Sequence, residues 1–244
     1  MPVAMITGGG SWFSRETVRL LIEEGWEIYL SDINQKLLDE VMAELGRPGQ
    51  VSAALLDVTN LPAVKAYADR IVVEKGAIDA LINVAGGSNY LGLGRRPFHE
   101  MDPAQWDLIL KPNIYGVLNC CHAVLQHMIA ARNGVIVSVA SGMGLKGQAK
   151  SSTYSASKAA IIVFSQAICQ EVGPYGIRVN TIAPGSAESR WMPELALREG
   201  QRASPLGHRT SAEDVAHAIA FLVSDRASHI TGSCLDLSGG TSLH

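Results

Sequence analysis

A doubly wound parallel α/β sheet with helices on both faces is the fold that this 244-residue sequence predicts. Three observations predict it. Short apolar runs of strand length alternate with segments of helical spacing along the chain. Two-residue hairpin turns are nearly absent, so successive strands must be joined by helical crossovers and run parallel. The first apolar run leads into Gly8, Gly9 and Gly10, a glycine turn set between a strand and a helix.

The elements follow in order. Val3–Thr7 is apolar nearly throughout, as a strand covered on both faces must be. Residues 14–24 have helical spacing and Gly25 supplies a stop. Strand 28–31 with helix 34–45, and strand 51–56 with helix Leu61–Lys75, repeat the unit. After strand 78–84, Asp102 and Pro103 mark a helix start, and apolar periodicity runs over 103–131 with an interruption at Pro112. That proline admits two readings: a kinked helix, or one helix ending at Lys111 and another starting near Asn113. Strand 135–140, helix 153–172 and strand 177–183 come next. The irregular stretch 184–210 is read as a loop covering the substrate, because ligands of such sheets bind beyond the carboxyl ends of the strands. "SAED", from Ser211 to Asp214, resembles a capping box for helix 211–224, and Cys234–Leu237 is the last strand. With no Pro/Gly/Ser-rich linker, residues 1–244 are read as one domain.

Composition limits the function classes. Apolar residues make up 47% and charged residues 18%, enough for one sizeable core. A net charge of −3 gives no broad basic field, so neither nucleic acid nor an acidic membrane is an expected partner. The four cysteines, Cys120, Cys121, Cys169 and Cys234, lack C-x-x-C spacing and read as reduced, buried thiols. The first residues lack a basic n-region and a long apolar core, and no window holds the ~18 unbroken apolar residues of a membrane span. A cytoplasmic protein is the expectation. His122 and His127 are five apart and share no helical face, and H-E-x-x-H is absent, so no metal site is expected.

The chemistry concentrates in two places. The glycine turn at the start of a helix suits a pyrophosphate, since helix N-terminal N–H groups and the dipole favour negative charge. Asp32 ends the second strand, where a carboxylate can accept hydrogen bonds from ribose hydroxyls and repel a 2′-phosphate; the plainer alternative is a cap for the next helix. The second place is "SSTYSASKAA", in which Tyr154 and Lys158 are four apart and share a helical face. Bringing a phenol from a pKa near 10 to about 7 takes roughly 4 kcal/mol of phenolate stabilisation, which a neighbouring cation and a helix N-terminus can contribute. Ser141 ends the fifth strand thirteen residues earlier, where its hydroxyl can hold a substrate oxygen beside the phenol.

In this order the motifs resemble the short-chain dehydrogenase/reductase family across essentially the whole chain. The family's TGxxxGxG loop corresponds to residues 7–14, NNAG to "NVAG" from Asn83 to Gly86, the strand-end acid before the adenine to Asp57, and the PG motif to Pro184 and Gly185. The resemblance implies a Rossmann-type fold and hydride transfer between a nicotinamide cofactor and a secondary alcohol or ketone. It makes Tyr154 the acid/base, Lys158 the residue that holds the nicotinamide ribose and lowers the Tyr154 pKa, Ser141 the group that polarises the substrate oxygen, and Asn113 a support for a water-linked proton path. The implied cofactor contacts are Gly8, Ser11, Trp12, Phe13 and Ser14 in the loop, Asp32 with Ile33, Asp57 with Val58, then Asn83, Ala85 and Gly86, Tyr154 and Lys158, and finally Ala187 and Ser189. Asp32, with no basic residue directly after it, favours NAD over NADP. Family analogy implies a homotetramer.

The loop departs from the pattern, because Trp12 and Ser14 stand where the family has its second and third glycines. Ser14 is expected to cap an N–H or donate to a phosphate oxygen. Trp12 carries ~1–3 kcal/mol of strain if its position needs φ > 0, and its indole is expected to swing aside so that its backbone and that of Phe13 face the pyrophosphate. Two rival readings stand beside the NAD enzyme: an NADP-dependent reductase, and a non-catalytic dinucleotide sensor or scaffold. Arg95, Arg96, Lys146 and Arg190 fall in loops around the expected cleft; solvated charges are the plainer reading of them, an anionic substrate group the sharper one.

Overall fold

The computed structural model describes residues 1–88, 95–187 and 204–242. Its strands are β1 (Val3–Thr7), β2 (Glu27–Asp32), β3 (Val51–Leu55), β4 (Ala80–Asn83), β5 (Gly134–Val139), β6 (Ile177–Pro184) and β7 (Cys234–Leu237). They form one sheet in the order β3-β2-β1-β4-β5-β6-β7, with every pairing parallel. The order reverses at β1, which pairs with β2 on one side and β4 on the other, and the crevice above that junction is where a doubly wound sheet receives ligand.

Side chains alternate across the strands and so build two cores. Ala4, Ile6, Ile28 and Leu30 pack with α1 (Trp12–Glu23), α2 (Gln35–Leu45) and α8 (Ala212–Val223). Val3, Met5 and Tyr29 point the other way, into α3 (Leu61–Lys75), α5 (Gly116–Ala131) and α7 (Ser152–Val172). The expected capping box holds: the Ser211 hydroxyl accepts from the Asp214 N–H, and the Asp214 carboxylate accepts from the Ser211 N–H.

Helix α1 starts earlier than its periodicity suggests, because Ser11 caps it by accepting from the Ser14 N–H at 3.1 Å. At Pro112 the helix neither breaks nor restarts. α4 (Ala104–Leu110) runs into α5 through a π turn, Lys111–Tyr115, in which the Gly116 N–H reaches back five residues to the Lys111 carbonyl. The wider turn accommodates a residue that has no N–H to give. This continuous stretch, Ala104–Ala131, is long and apolar enough to cross a membrane by length and composition, but α5 packs its apolar face onto α3, β4 and β5.

A four-residue helix, α6 (Gly142–Leu145), follows β5 and lies directly on α7. A Cβ on Gly144 would stand 2.7 Å from the Lys158 carbonyl carbon, so the two backbones touch. Of the expected covering loop, both stems are described: Ala187 bridges Thr210, closing its base. Residues 188–203, with Ser189 and Arg190, lie outside the described residues.

Candidate active site

The glycine turn is built by close approach. Gly8 has φ +70°, and a Cβ there would stand 2.6 Å from the Ala85 N, so only glycine fits between β1 and the turn after β4. The Gly9 N–H donates to the Ser31 carbonyl at 2.9 Å and the Gly10 N–H to Asp32 Oδ2 at 2.9 Å. Two first-turn N–H groups of α1, those of Trp12 and Phe13, have no partner among the described residues, whereas those of Ser11 and Ser14 do. Orphan donors at a helix N-terminus beside a glycine turn suit an anion such as a pyrophosphate.

The condition for strain at Trp12 is not met, and the expectation for Ser14 is corrected. Trp12 carries no backbone strain: among the described residues only Arg132 and Lys150 are non-glycine residues with positive φ. It occupies an ordinary first helical position, with its side chain 42% exposed. Ser14 neither caps the helix nor keeps its hydroxyl for a phosphate. It is fully buried; its Oγ donates to the Gly8 carbonyl at 2.7 Å and accepts from the Ser11 hydroxyl at 3.0 Å. Burial explains the difference, since an enclosed hydroxyl takes the nearest backbone acceptor.

Asp32 does not cap α2. Asn34 does, accepting from the Leu37 N–H, while Asp32 Oδ1 accepts from the Asn34 N–H at 2.9 Å. The carboxylate therefore joins the glycine turn to the start of α2. Ile33 beside it is 68% exposed, an apolar surface at the edge of the crevice. Arg15 on α1 is committed to Glu40 at 2.9 Å and Glu44 at 3.2 Å. Asp57 lies exposed just past β3, holding Thr59 through its N–H and hydroxyl, both at 2.8 Å. Val58 is buried against Gly116. The Asn83 side chain turns into the sheet, donating to Ser138 Oγ at 3.1 Å, so any contact it makes with a ligand comes from its backbone. The Ala85 N–H donates to Thr7 Oγ1 at 3.3 Å.

Asn113 is buried in the π turn. Its amide donates to the Ile109 carbonyl at 2.8 Å and the Gly87 carbonyl at 2.9 Å, and accepts from the Gly87 N–H at 2.9 Å. The Gly87 pairing links the π turn to the segment after β4; it was invisible in the sequence, because nothing local joins residues so far apart. Lys158 is buried on α7, and its Nζ donates to the Val139 carbonyl at 2.8 Å. Burial pulls its pKa down to about 8. That acceptor, a backbone carbonyl at the end of β5, was also missed, since backbone groups leave no residue-type signal.

Tyr154 lies one turn before Lys158, whose ammonium is 5.8 Å from the ring centroid. Burial pushes the phenol's pKa up, and a hydrogen bond with Ser141 opposes that rise. Ser141 is set by its place as the cap of α6, where its Oγ accepts from the Met143 N–H at 3.2 Å. The sheet thus brings Asn113, Ser141, Tyr154 and Lys158 to one edge, with Asp32 and the glycine turn across the β1/β4 crevice. Ala187 sits at the base of the stem after β6, its carbonyl accepting from Arg209 Nη1 at 3.2 Å.

A Ser–Tyr–Lys set beside the crevice of a seven-stranded doubly wound sheet suits an oxidoreductase that works with a nicotinamide cofactor. The chain belongs to the short-chain dehydrogenase family, whose sequence model matches residues 2–199. It is 35% identical over 242 residues to the 3-oxoacyl-(acyl-carrier-protein) reductase FabG of Thermotoga maritima, covering 98% of this chain and 96% of that one. It is 36% identical to the cis-4-hydroxycyclohexanecarboxylate dehydrogenase of Sinomonas cyclohexanicum, covering 98% and 95%. Among solved structures, NAD+-bound xylitol dehydrogenase superposes with a TM-score of 0.91 at 28% identity, covering 98% of each chain.

The Ser14 geometry yields a prediction that runs against the family pattern. Ser14→Gly removes the shorter of the two bonds to the Gly8 carbonyl, leaving that from the Ser11 N–H, and loosens the turn. Affinity for the nicotinamide dinucleotide should fall about fivefold, the worth of roughly 1 kcal/mol. Calorimetric titration of the parent and the variant decides it, and tighter binding by the variant would contradict the role given to Ser14.

Proposed function

We propose that the protein is an NAD-dependent dehydrogenase/reductase that interconverts a secondary alcohol and its ketone, with Tyr154 as the acid/base. The observation that carries this reading is the half-buried Tyr154 phenol, whose rise in pKa through desolvation is opposed by the Ser141 hydroxyl and which stands one helical turn from a buried ammonium. In the oxidation direction the Ser141 hydroxyl holds the substrate oxygen, and the Tyr154 phenolate takes the alcohol proton. A nicotinamide held in the crevice would supply the acceptor for the hydride of the carbinol carbon. Lys158 would hold the nicotinamide ribose, and its positive charge would favour the phenolate. Asn113 holds the turn at Gly87 against the site and supports the path by which the proton leaves. The first turn of α1 with Gly8 and Ser11 would hold the pyrophosphate, Asp32 and Ile33 the adenosine ribose and adenine, Asp57 and Val58 the adenine, and the backbones of Asn83, Ala85, Gly86 and Ala187 the nicotinamide half; Ser189, assigned to the same half by the family resemblance, lies outside the described residues.

NAD is favoured by three features: the Asp32 carboxylate at the end of β2, an uncharged residue at 33, and Arg15 committed to Glu40 and Glu44 rather than turned to a 2′-phosphate. The chain works as one domain in the cytoplasm, as a homotetramer by analogy with its family. The names of the relatives, a cyclic hydroxy acid dehydrogenase and a cyclopentanol dehydrogenase of Comamonas among them, suit a small cyclic or linear alcohol.

Two substitutions test the reading. Tyr154→Phe should lower turnover on a panel of secondary alcohols by about 100-fold or more while NAD binding persists; near-parent turnover would remove Tyr154 from the chemistry. Asp32→Ala releases the Gly10 N–H and the ribose contacts together, so NAD should bind roughly tenfold more weakly while NADP loses less. Titration of both cofactors measures the ratio, and an unchanged preference would make Asp32 a support of the turn alone.

A further inference from the structure

The carboxyl-terminal turn meets the candidate site at a point that neither the motifs nor the proposed chemistry uses. Past β7, residues 238–242 fold back across the carboxyl edge of the sheet. Ser238 and Ser242 are buried and locked together, the Ser242 N–H donating to Ser238 Oγ at 3.0 Å. Ser238 presses on the end of β6: a Cβ on Gly185 would stand 2.7 Å from the Ser238 Cα. Ser242 presses on the residue after Ser141: a Cβ on Gly142 would stand 2.8 Å from Ser242 Oγ, whose hydroxyl also donates to the Gly142 carbonyl at 3.5 Å. The same turn holds the far stem of the segment after β6, where Ser204 Oγ donates to the Gly239 carbonyl at 3.3 Å and Thr210 Oγ1 to the Leu237 carbonyl at 2.6 Å.

We infer that Ser242, braced by Ser238, is a positioning residue for Ser141. The inference rests on the reading of Ser141 as the group that meets the substrate oxygen and the phenol. Helix α6 is only one turn long, so its own hydrogen bonds do little to fix it. Its place is set from outside. α7 holds one side, where Gly144 touches the Lys158 backbone, and Ser242 holds the other at Gly142. Ser141 caps this helix, so a shift of Gly142 turns the Ser141 hydroxyl away from Tyr154. Because the turn also grips Gly185 and Ser204, movement of the stems after β6 reaches Ser141 through the same residues. Loss of the Ser242 hydroxyl acts on the phenol without touching it.

The readout is the titration of Tyr154 in the NAD-loaded protein, followed by NMR of protein carrying carbon-13 at the tyrosine Cζ and assigned with Tyr154→Phe. The charged group facing the phenol is Lys158 on its own helix, and no carboxylate among the described residues shifts it. Ser141→Ala and Ser242→Ala should each raise the Tyr154 midpoint by roughly half a pH unit or more, through loss of one hydrogen bond to the phenolate. Ser242→Thr, which keeps the hydroxyl, should restore the parent value. Gly142→Ala presses on the same contact from the other side; it should raise the midpoint alone and add less in the Ser242→Ala background than on its own. Should Ser242→Ala fail to fold, Gly142→Ala carries the test. A shift with Ser141→Ala but none with Ser242→Ala or Gly142→Ala overturns the positioning role and leaves the reading of Ser141 standing. A change in melting midpoint alone, with Tyr154 unmoved, also overturns it. No shift with Ser141→Ala itself overturns the reading of Ser141, and the inference falls with it.

Discussion

The carboxyl edge of this sheet depends on one buried charge. The Lys158 ammonium is enclosed on α7 and bonded to a neutral carbonyl, that of Val139, rather than to a carboxylate. Removing a cation from water on such terms costs several kcal/mol, which is why its pKa falls to about 8. The cost is tolerated because the surroundings fix the lysine from several sides. β5 brings the Val139 carbonyl to the edge, α6 lies on the Lys158 backbone with no room for a side chain at Gly144, and Tyr154 stands one turn before it. A charge held at such expense is a sign of function more than of stability.

The same reasoning explains the altered glycine loop. A glycine at 14 would leave the Gly8 carbonyl to other partners; the serine that replaces it takes that carbonyl itself and is in turn held by Ser11. Trp12 needs no unusual backbone, because it begins the helix and does not sit in the turn. The turn is held by two serines: Ser11 Oγ accepts from the Ser14 N–H and donates to Ser14 Oγ. The orphan N–H groups of Trp12 and Phe13 remain available at the helix end.

Much of the fold was legible in the residues. Alternating apolar runs and helical spacings place all seven strands and the flanking helices, because each is periodic over enough residues to override local preference. Boundaries were less legible: α1 begins at Trp12 because Ser11, not a later residue, supplies the cap. Pro112 left two readings open; the helix runs on through it, which rejects a break at Lys111, and the local form, a π turn, follows from a hydrogen-bond register that residue types do not display. Residue types revealed Ser141, Tyr154 and Lys158 as a set. They did not reveal what holds the set, because Val139, Gly87 and Gly142 act through backbone atoms, and Ser242 lies 100 residues from the glycine it meets. They also assigned Ser14 to a phosphate, where burial assigns it to Gly8.

The central claim is hydride transfer at this edge, and an isotope tests it most directly. The protein is incubated with NAD and with secondary alcohols carrying deuterium on the carbinol carbon, cyclopentanol among them, and the reduced nicotinamide is examined for deuterium. The account predicts deuterium on the nicotinamide ring from at least one alcohol, introduced on a single face, and at about a hundredth of the rate or less from protein carrying Tyr154→Phe. A protein that binds NAD or NADP tightly yet moves deuterium from no alcohol of the panel would contradict it and favour a dinucleotide sensor on the same fold.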